Sequence, residues 1–140
     1  MREILFRGKR VENDEWVDGY YCAFNGVSHR IYTGYAETDC GEFYPDYYEV
    51  IPKTVRQYTG LTDKNGTKIF EGDIATCMTK YGGDIGIVTF KDGKFMICWQ
   101  SEYRYPKNGK ITDYYYVNAR TKVIGNIYDN PELIGDTNNG

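Results

Sequence analysis

Short apolar runs alternate with turn residues along residues 57–98, and the spacing is too tight for helices. An Asn-Gly pair ends at Gly66 and an Asp-Gly pair ends at Gly93. Both dipeptides favour tight hairpin turns, and Asn-Gly is favoured where both central residues of the turn take positive φ. Further breakers stand at residues 71–73 and 81–83. The pattern predicts a meander of antiparallel strands, with hairpins around Gly66 and Gly93.

Glycines in this meander stand where a small, strongly curved sheet would bend, and residues 123–128 would supply a closing strand. Closing a sheet removes its exposed edges. Asn130 followed by Pro131 predicts a short helical turn, with Asn130 at its cap and Pro131 at its first position. The predicted fold class is mainly β, with an SH3-like small antiparallel barrel and the C-terminal helical turn at residues 57–134 and a flexible tail at 135–140.

Residues 1–56 are predicted to form an N-terminal β-hairpin region. Residues 16–24 and 27–32 have strand patterns, and the Asn-Gly pair between them predicts a hairpin turn. Residues 34–47 are rich in Gly, Asp, Glu and Tyr and are predicted to be an acidic, Tyr-rich loop. Pro52 then predicts a single helical turn before the barrel begins.

Six sequence segments occur together in one order, at residues 2–10, 16–19, 57–61, 63–66, 69–74 and 123–133. Together they resemble the YopX family of phage and prophage proteins nearly from end to end. The resemblance implies a small protein of the host cell cytosol, encoded by a bacteriophage or prophage, with a β-rich structure that includes an SH3-type barrel. It implies no established activity and brings no catalytic residues. It marks as fold determinants the motif positions Gln57, Tyr58, Thr59, Gly60, Leu61, Asp63, Asn65, Gly66, Glu71, Gly72, Asp73, Gly125, Asn126 and Pro131.

The composition agrees with a cytosolic β protein. Aromatic residues make up 16% of the 140 residues, and the 15 tyrosines among them favour strands over helices. No apolar run approaches the roughly 20 residues that span a bilayer, and the N-terminus lacks a signal-peptide apolar region. The four cysteines include no Cys-x-x-Cys pair, which favours structural thiols in a reducing cytosol over a metal or redox site. We expect no membrane contact.

The acidic loop at residues 34–47 raises calcium binding as a hypothesis, because clustered carboxylates attract hard cations. The spacing of its acids has no EF-hand register, so a solvated loop is the favoured interpretation. An EF-hand alignment on Gly66 also fails, since it puts Leu61 and Gly72 at ligand positions that require carboxylates. We expect no metal and no cofactor.

Groups suited to catalysis are sparse. His29 is the only histidine, and no nucleophile motif lies near it. Glu71 and Asp73 flank Gly72, so a turn held by side-chain bonds to the backbone is the simpler interpretation of these two carboxylates. The Gly82-Gly83 pair lacks the downstream Lys-Ser/Thr of a phosphate loop. We expect a protein that is not an enzyme and has no catalytic residues, with an uncharacterised enzyme as the second alternative.

The candidate binding surface interleaves aromatic rings with cations, a pattern that could stack nucleic-acid bases. The formal net charge of −3 argues against that partner. Exposed tyrosines combine a large contact area with little rotamer entropy and therefore suit protein interfaces. The favoured prediction is a protein-interaction module that binds a host or phage protein, with homo-oligomerisation and nucleic-acid binding left open. The candidate surface comprises Tyr103, Arg104, Tyr105, Lys107, Lys110, Tyr114 and Tyr115.

Overall fold

A computed structural model describes residues 3–79, 82–91, 93–98, 114–116 and 121–134, and the chain divides into two compact units, Met1–Tyr58 and Thr59–Gly140. The first unit contains β1 (Phe6–Lys9), β2 (Trp16–Phe24), β3 (Ser28–Glu37), β4 (Phe43–Glu49) and the start of β5 (Arg56–Thr62). The second contains the end of β5, β6 (Lys68–Phe70), β7 (Asp73–Thr79), β8 (Gly82–Lys91), β9 (Lys94–Cys98), β10 (Tyr114–Tyr116) and β11 (Lys122–Asn126). The predicted mainly β class is confirmed.

The strands of the first unit are antiparallel, in the order β4-β3-β2-β1-β5. Ile31 and Val50 are buried in its core. A Cβ atom on Gly8 would stand 3.1 Å from the Ile31 Cδ1 methyl, and one on Gly19 would stand only 2.2 Å from the Tyr32 carbonyl oxygen. The two glycines therefore leave room for close strand packing that a larger residue would disrupt.

The turn at Asn25-Gly26 has the predicted geometry. Asn25 has φ 52° and Gly26 has φ 68°, and the Val27 amide donates to the Phe24 carbonyl at 2.9 Å. Both central residues are thus left-handed, as a primed hairpin turn requires. The hairpin of β2 and β3 is confirmed.

The loop predicted at residues 34–47 is wrong. β3 extends to Glu37 and β4 begins at Phe43, so these strands form a long ribbon joined only by residues 38–42. The register places Tyr35 opposite Pro45, beyond a bulge between Tyr32 and Gly34. Aromatic side chains pair well across antiparallel strands, and alternating polar residues suit a ribbon that faces water. The acidic composition therefore marked an exposed ribbon rather than a loop.

The helical turn predicted at Pro52 is confirmed as a 3₁₀ turn, Pro52–Thr54. Thr54 is buried, and its hydroxyl donates to the Ile51 carbonyl at 2.6 Å and accepts from the Lys9 amide at 2.9 Å. The bond from the Lys9 amide fastens the turn to β1.

Strands of the second unit's sheet follow the order β10-β9-β8-β7-β11, again antiparallel. A cluster of Ile69, Ala75, Val88 and Ile97 forms its apolar core, with Phe95 and Val123 among the half-buried side chains packed against it. At roughly 25 cal/mol per Å² of buried apolar surface, this cluster is a main source of the unit's stability. The predicted hairpin at Gly93 is confirmed by the pairing of Lys91 with Lys94 and by a Gly93 φ of 80°.

The hairpin predicted around Gly66 is also present, but its turn geometry differs from the expected one. Gly66 has φ 83°, whereas Asn65 does not take positive φ. The Gly66 amide donates to the Asp63 carbonyl at 3.0 Å, and the Asp63 amide donates to the Thr67 carbonyl at 2.7 Å. This is a type I turn closed by a left-handed glycine, which needs positive φ at one position only.

Closure of the second sheet into a barrel is not seen among the described strands. β11 pairs with β7 at one edge, and β10 lies at the other edge beside β9. The segment predicted as the closing strand is present as β11, and it pairs with β7, the first strand of this sheet along the chain. The predicted C-terminal turn is confirmed in its 3₁₀ form, Pro131–Ile134.

Candidate interaction surface

Most of the binding surface proposed from the sequence lies outside the described residues. Tyr114 and Tyr115 are the exceptions, and they pair through β10 with Cys98 and Ile97 of β9. The remaining members, which lie outside the described residues, are Tyr103, Arg104, Tyr105, Lys107 and Lys110.

Asp63 binds three backbone amides through its carboxylate. Its side chain is buried, and its Oδ1 accepts the amides of Asn65 at 2.8 Å and Thr67 at 2.9 Å, while Oδ2 accepts the Val123 amide at 3.0 Å. Burial alone raises the pKa of Asp63, but the amides of Val123, Thr67 and Asn65, helped by the charge of Lys122, outweigh it and hold the pKa below its ordinary value. One carboxylate therefore joins the β5–β6 turn to β11.

Asp73 and Gly72 form a second structural turn. The buried Asp73 accepts the Phe70 amide through Oδ2 at 2.8 Å, and Gly72 has φ 85°. The Gly72 amide donates to the Val88 carbonyl at 2.8 Å, and the Gly72 carbonyl accepts the Ile127 amide at 3.0 Å. The predicted turn with a side-chain bond to the backbone is confirmed for Asp73, and Glu71 opens the same turn.

The motif of residues 57–61 lies within β5. Gln57 pairs with Phe6, and the buried Thr59 donates its hydroxyl to the Ile69 carbonyl at 2.8 Å. Further along, Gly60 has φ 89°, a backbone conformation that favours glycine. Two other members differ in burial, since Tyr58 is buried and Leu61 is exposed.

The C-terminal motif is held by asparagine side chains. Asn126 accepts the amides of Tyr128 at 3.0 Å and Asp129 at 2.9 Å through its Oδ1. Asn130 accepts the Asn126 amide at 3.2 Å, and a Cβ on Gly125 would lie 2.6 Å from the same Asn130 oxygen. Asn130 thus braces the segment before it, while Pro131 starts the 3₁₀ turn.

His29 and the carboxylates form no metal cluster in the part of the chain that the structure describes. The His29 ring stacks on Tyr21 with 12° between the planes, and its Nδ1 shares a hydrogen bond with the Tyr21 hydroxyl. This lone histidine is therefore engaged with an aromatic neighbour. In the same described residues, no helix is long and apolar enough to cross a membrane.

An unexpected surface lies on one side of the β2–β3–β4 ribbon. The strand register puts Tyr20 opposite Tyr32, and Tyr32 opposite Tyr47, so three tyrosines form a row across the strands. Tyr20 is 69% exposed, Tyr35 77% and Phe43 71%. We call this surface the aromatic face, and its members are Tyr20, Phe24, Tyr32, Tyr35, Phe43 and Tyr47.

Arg30 lies on the aromatic face, beside the rings of Phe24 and Tyr47. Its guanidinium carbon is 4.3 Å from the ring centroid of Tyr47 and 5.0 Å from that of Phe24. The hydrogen bond to the Tyr32 hydroxyl outweighs burial and raises the pKa of Arg30, and the charge on Glu49 adds to the effect. A permanently charged arginine framed by rings is an anchor for an anionic or aromatic group.

Sequence reasoning missed this face, although its signal was present. Tyr20 and Phe24 are four residues apart and Arg30 and Tyr32 are two apart, so strand alternation puts each pair on one side of a sheet. The signal was obscured because the second half of the ribbon was interpreted as a loop. A bulge at Thr33 also changes the register there.

The structure is that of a two-unit, mainly β protein with an exposed aromatic face and buried motif carboxylates. A family model described as "YopX protein" matches residues 5–135. The chain belongs to the YopX family.

Among solved structures, the crystal structure of protein EF1440 from Enterococcus faecalis is similar in fold. The TM-score is 0.60 at 24% sequence identity, and the match covers 96% of this chain and 99% of that chain. No curated protein matches this chain. These similarities establish the family and the fold. The aromatic face is the feature of this chain that bears on its function.

Proposed function

We propose that this YopX-family protein is a non-catalytic interaction module encoded by a phage or prophage, which binds a protein partner in the host cell cytosol through its aromatic face. The observation that carries the proposal is the concentration of exposed rings on one side of the ribbon, including Tyr20, Tyr35 and Phe43. Clustered exposed aromatic side chains are costly in water and are typical of binding surfaces. Tyrosine adds a hydroxyl and loses little rotamer entropy when bound.

The edge of the ribbon supports docking on the face rather than strand addition. β4 is the outer strand of the first unit's order, and Pro45 stands near its middle. Proline cannot donate a ladder hydrogen bond, and it is one of the devices that protect an edge strand from pairing. A partner is therefore better accommodated on the aromatic side chains than along the β4 backbone.

A non-catalytic role is consistent with how the candidate acids and the histidine are used. Asp63 and Asp73 are buried and accept backbone amides, and His29 is engaged with Tyr21. Side chains committed to such contacts are poorly placed to exchange protons with a substrate. The chemistry expected of this protein is recognition.

Nucleic-acid binding is the second candidate, because Tyr20 and Tyr35 could stack bases beside Arg30. The charges near the face favour the protein partner instead. Glu37 and Glu49 lie on the same side of the ribbon as the aromatic residues and would repel phosphates. The two glutamates therefore favour a protein partner over a nucleic acid.

The proposal predicts that partner capture depends on one face of the ribbon. A tagged Tyr20→Ala/Tyr35→Ala variant should lose the partner that the wild type captures from host lysate, because two large anchors are removed. Tyr44→Ala is the matched control, since Tyr44 is 48% exposed but alternates to the opposite face. Quantitative mass spectrometry of captures made with and without nuclease measures the effect.

Nuclease treatment separates the two candidates. A partner that survives nuclease, is lost in the double variant and is kept by Tyr44→Ala supports the proposal. Capture that disappears with nuclease, or that both variants retain equally, contradicts it.

A further inference from the structure

Arg30 carries a charge that no carboxylate balances at close range. Among the described residues it forms no ion pair, although Glu49 lies opposite it in the register of β3 and β4. By contrast, Arg7 on the same side of the sheet is held by Asp18 at 2.7 Å. Arg30 is therefore available to an incoming anion on the aromatic face.

The contacts of Arg30 fix its guanidinium plane without using all of its donors. Nε donates to the Ser28 hydroxyl at 3.1 Å, and Nη1 donates to the Tyr32 hydroxyl at 3.4 Å. Within the described part of the chain, Nη2 has no hydrogen-bond acceptor. The rings of Phe24 and Tyr47 lie against the group. A preorganised guanidinium loses less freedom when it binds a planar carboxylate.

We propose that Arg30 anchors a carboxylate of the partner protein, in a segment that places an Asp, Glu or C-terminal carboxylate beside an apolar or aromatic side chain. The rings of Phe24 and Tyr47 beside Arg30, with the exposed Tyr20 elsewhere on the same face, receive the apolar side chain, while the guanidinium receives the charge. This inference rests on the proposed function, because it assigns a partner chemistry to the same face.

The surrounding charges favour a single carboxylate over a polyanion. Asp18 already neutralises Arg7, and Glu37 and Glu49 lie on the same side of the ribbon as Arg30. A nucleic acid brings a row of phosphates, which requires several available cations. An arginine beside acidic neighbours on the described ribbon suits a partner that brings one negative group.

Selection from a random octapeptide library on beads tests the inference, with one copy of the library amidated and one carrying free C-termini. Peptides retained by the wild type should be enriched in Asp or Glu next to an apolar residue. Enrichment confined to the free-terminus copy would assign the chain-end carboxylate instead of a side chain. A single-stranded oligothymidine of twelve nucleotides is the nucleic-acid probe in the same assay.

The affinity of one selected peptide for wild type and variants then shows whether Arg30 contacts the carboxylate. Arg30→Gln should weaken binding about tenfold or more, because it removes a charge-assisted contact. Glu49→Gln should strengthen binding, because a competing carboxylate disappears. Arg7→Gln is the matched control, and it should change the affinity less than about twofold because Asp18 already uses that charge. Arg30→Lys, which keeps the charge and loses the planar fork, should bind with an intermediate affinity.

The outcomes separate this inference from the proposed function. If selected peptides require Tyr20 and Tyr35 but show no acidic preference and no loss with Arg30→Gln, the carboxylate anchor is wrong and the docking face stands. If no peptide depends on Tyr20 and Tyr35, both proposals fail. Tighter binding of the oligothymidine than of any peptide, with loss in Arg30→Gln, overturns the protein partner.

Discussion

Replacing Asp63 with alanine is expected to lower the free energy of unfolding of the second unit by about 2–3 kcal/mol. The change leaves three amides, of Asn65, Thr67 and Val123, without the carboxylate that accepts them. Asn65 and Thr67 are exposed residues whose amides can turn to water, so the full cost of about 1–3 kcal/mol for an unsatisfied buried donor applies mainly to the half-buried Val123. Denaturant unfolding gives the size of the loss. Hydrogen exchange should place it in β5, β6 and β11.

The Asp63→Asn variant isolates the role of the charge. An asparagine keeps the shape but turns one oxygen into a donor that faces a backbone amide, so we expect a loss of about 2 kcal/mol near neutral pH. Because the folded pKa of Asp63 lies below its ordinary value, its stabilisation is fully present above about pH 4 and is lost as pH falls through the folded pKa. The difference between wild type and Asp63→Asn should therefore shrink in acid. A difference that stays constant from neutral pH to pH 2 would show that the charge plays no part.

Replacing Gly19 with alanine is expected to destabilise the first unit by about 3 kcal/mol or more, the upper range for overpacked sites. The added Cβ would stand 2.2 Å from the Tyr32 carbonyl oxygen and 2.9 Å from a methyl of Ile31. The closest atom belongs to the backbone of β3, so strand pairing itself must shift to relieve the clash. Thermal unfolding followed by fluorescence in a Trp99→Phe background, which leaves Trp16 as the reporter, measures the effect.

Gly8→Ala is the control for that prediction. Its Cβ would meet the Cδ1 methyl of Ile31 at 3.1 Å and the Cβ of Val50 at 3.2 Å. The nearest atom is the far end of a flexible side chain, which can give by a few tenths of an ångström. Gly8→Ala should therefore cost clearly less than Gly19→Ala, and equal costs would contradict the account of the β2–β3 contact.

Local sequence chemistry predicted the turns better than it predicted the strands between them. Asn25 and Gly26 specify a primed turn on their own, because few residue pairs accept positive φ at both positions. At Gly66 the same dipeptide takes another geometry, since the Asp63 carboxylate accepts the amide of Asn65 within the turn and that of Thr67 just after it. These two bonds depend on a residue outside the dipeptide.

The aromatic face could be predicted only in part, because it depends on register. Tyr20, Tyr32 and Tyr47 come from three strands and meet only through pairings that the sequence does not state. The bulge at Thr33 changes the alternation within β3, and the residue types around it do not predict a bulge. The side of each strand on which a residue lies could be predicted from the sequence. The row of tyrosines across the three strands could not, because it depends on the register between them.

Site-specific photo-crosslinking tests most directly whether the aromatic face docks a protein. A benzophenone amino acid placed at position 35 reports contacts on the aromatic face, and the same group at position 44 reports the opposite side of the same ribbon. Irradiation of host cells that produce each variant should give a discrete protein adduct from position 35 that is absent from position 44. Equal adducts from both positions, or adducts with nucleic acid alone, would contradict the claim.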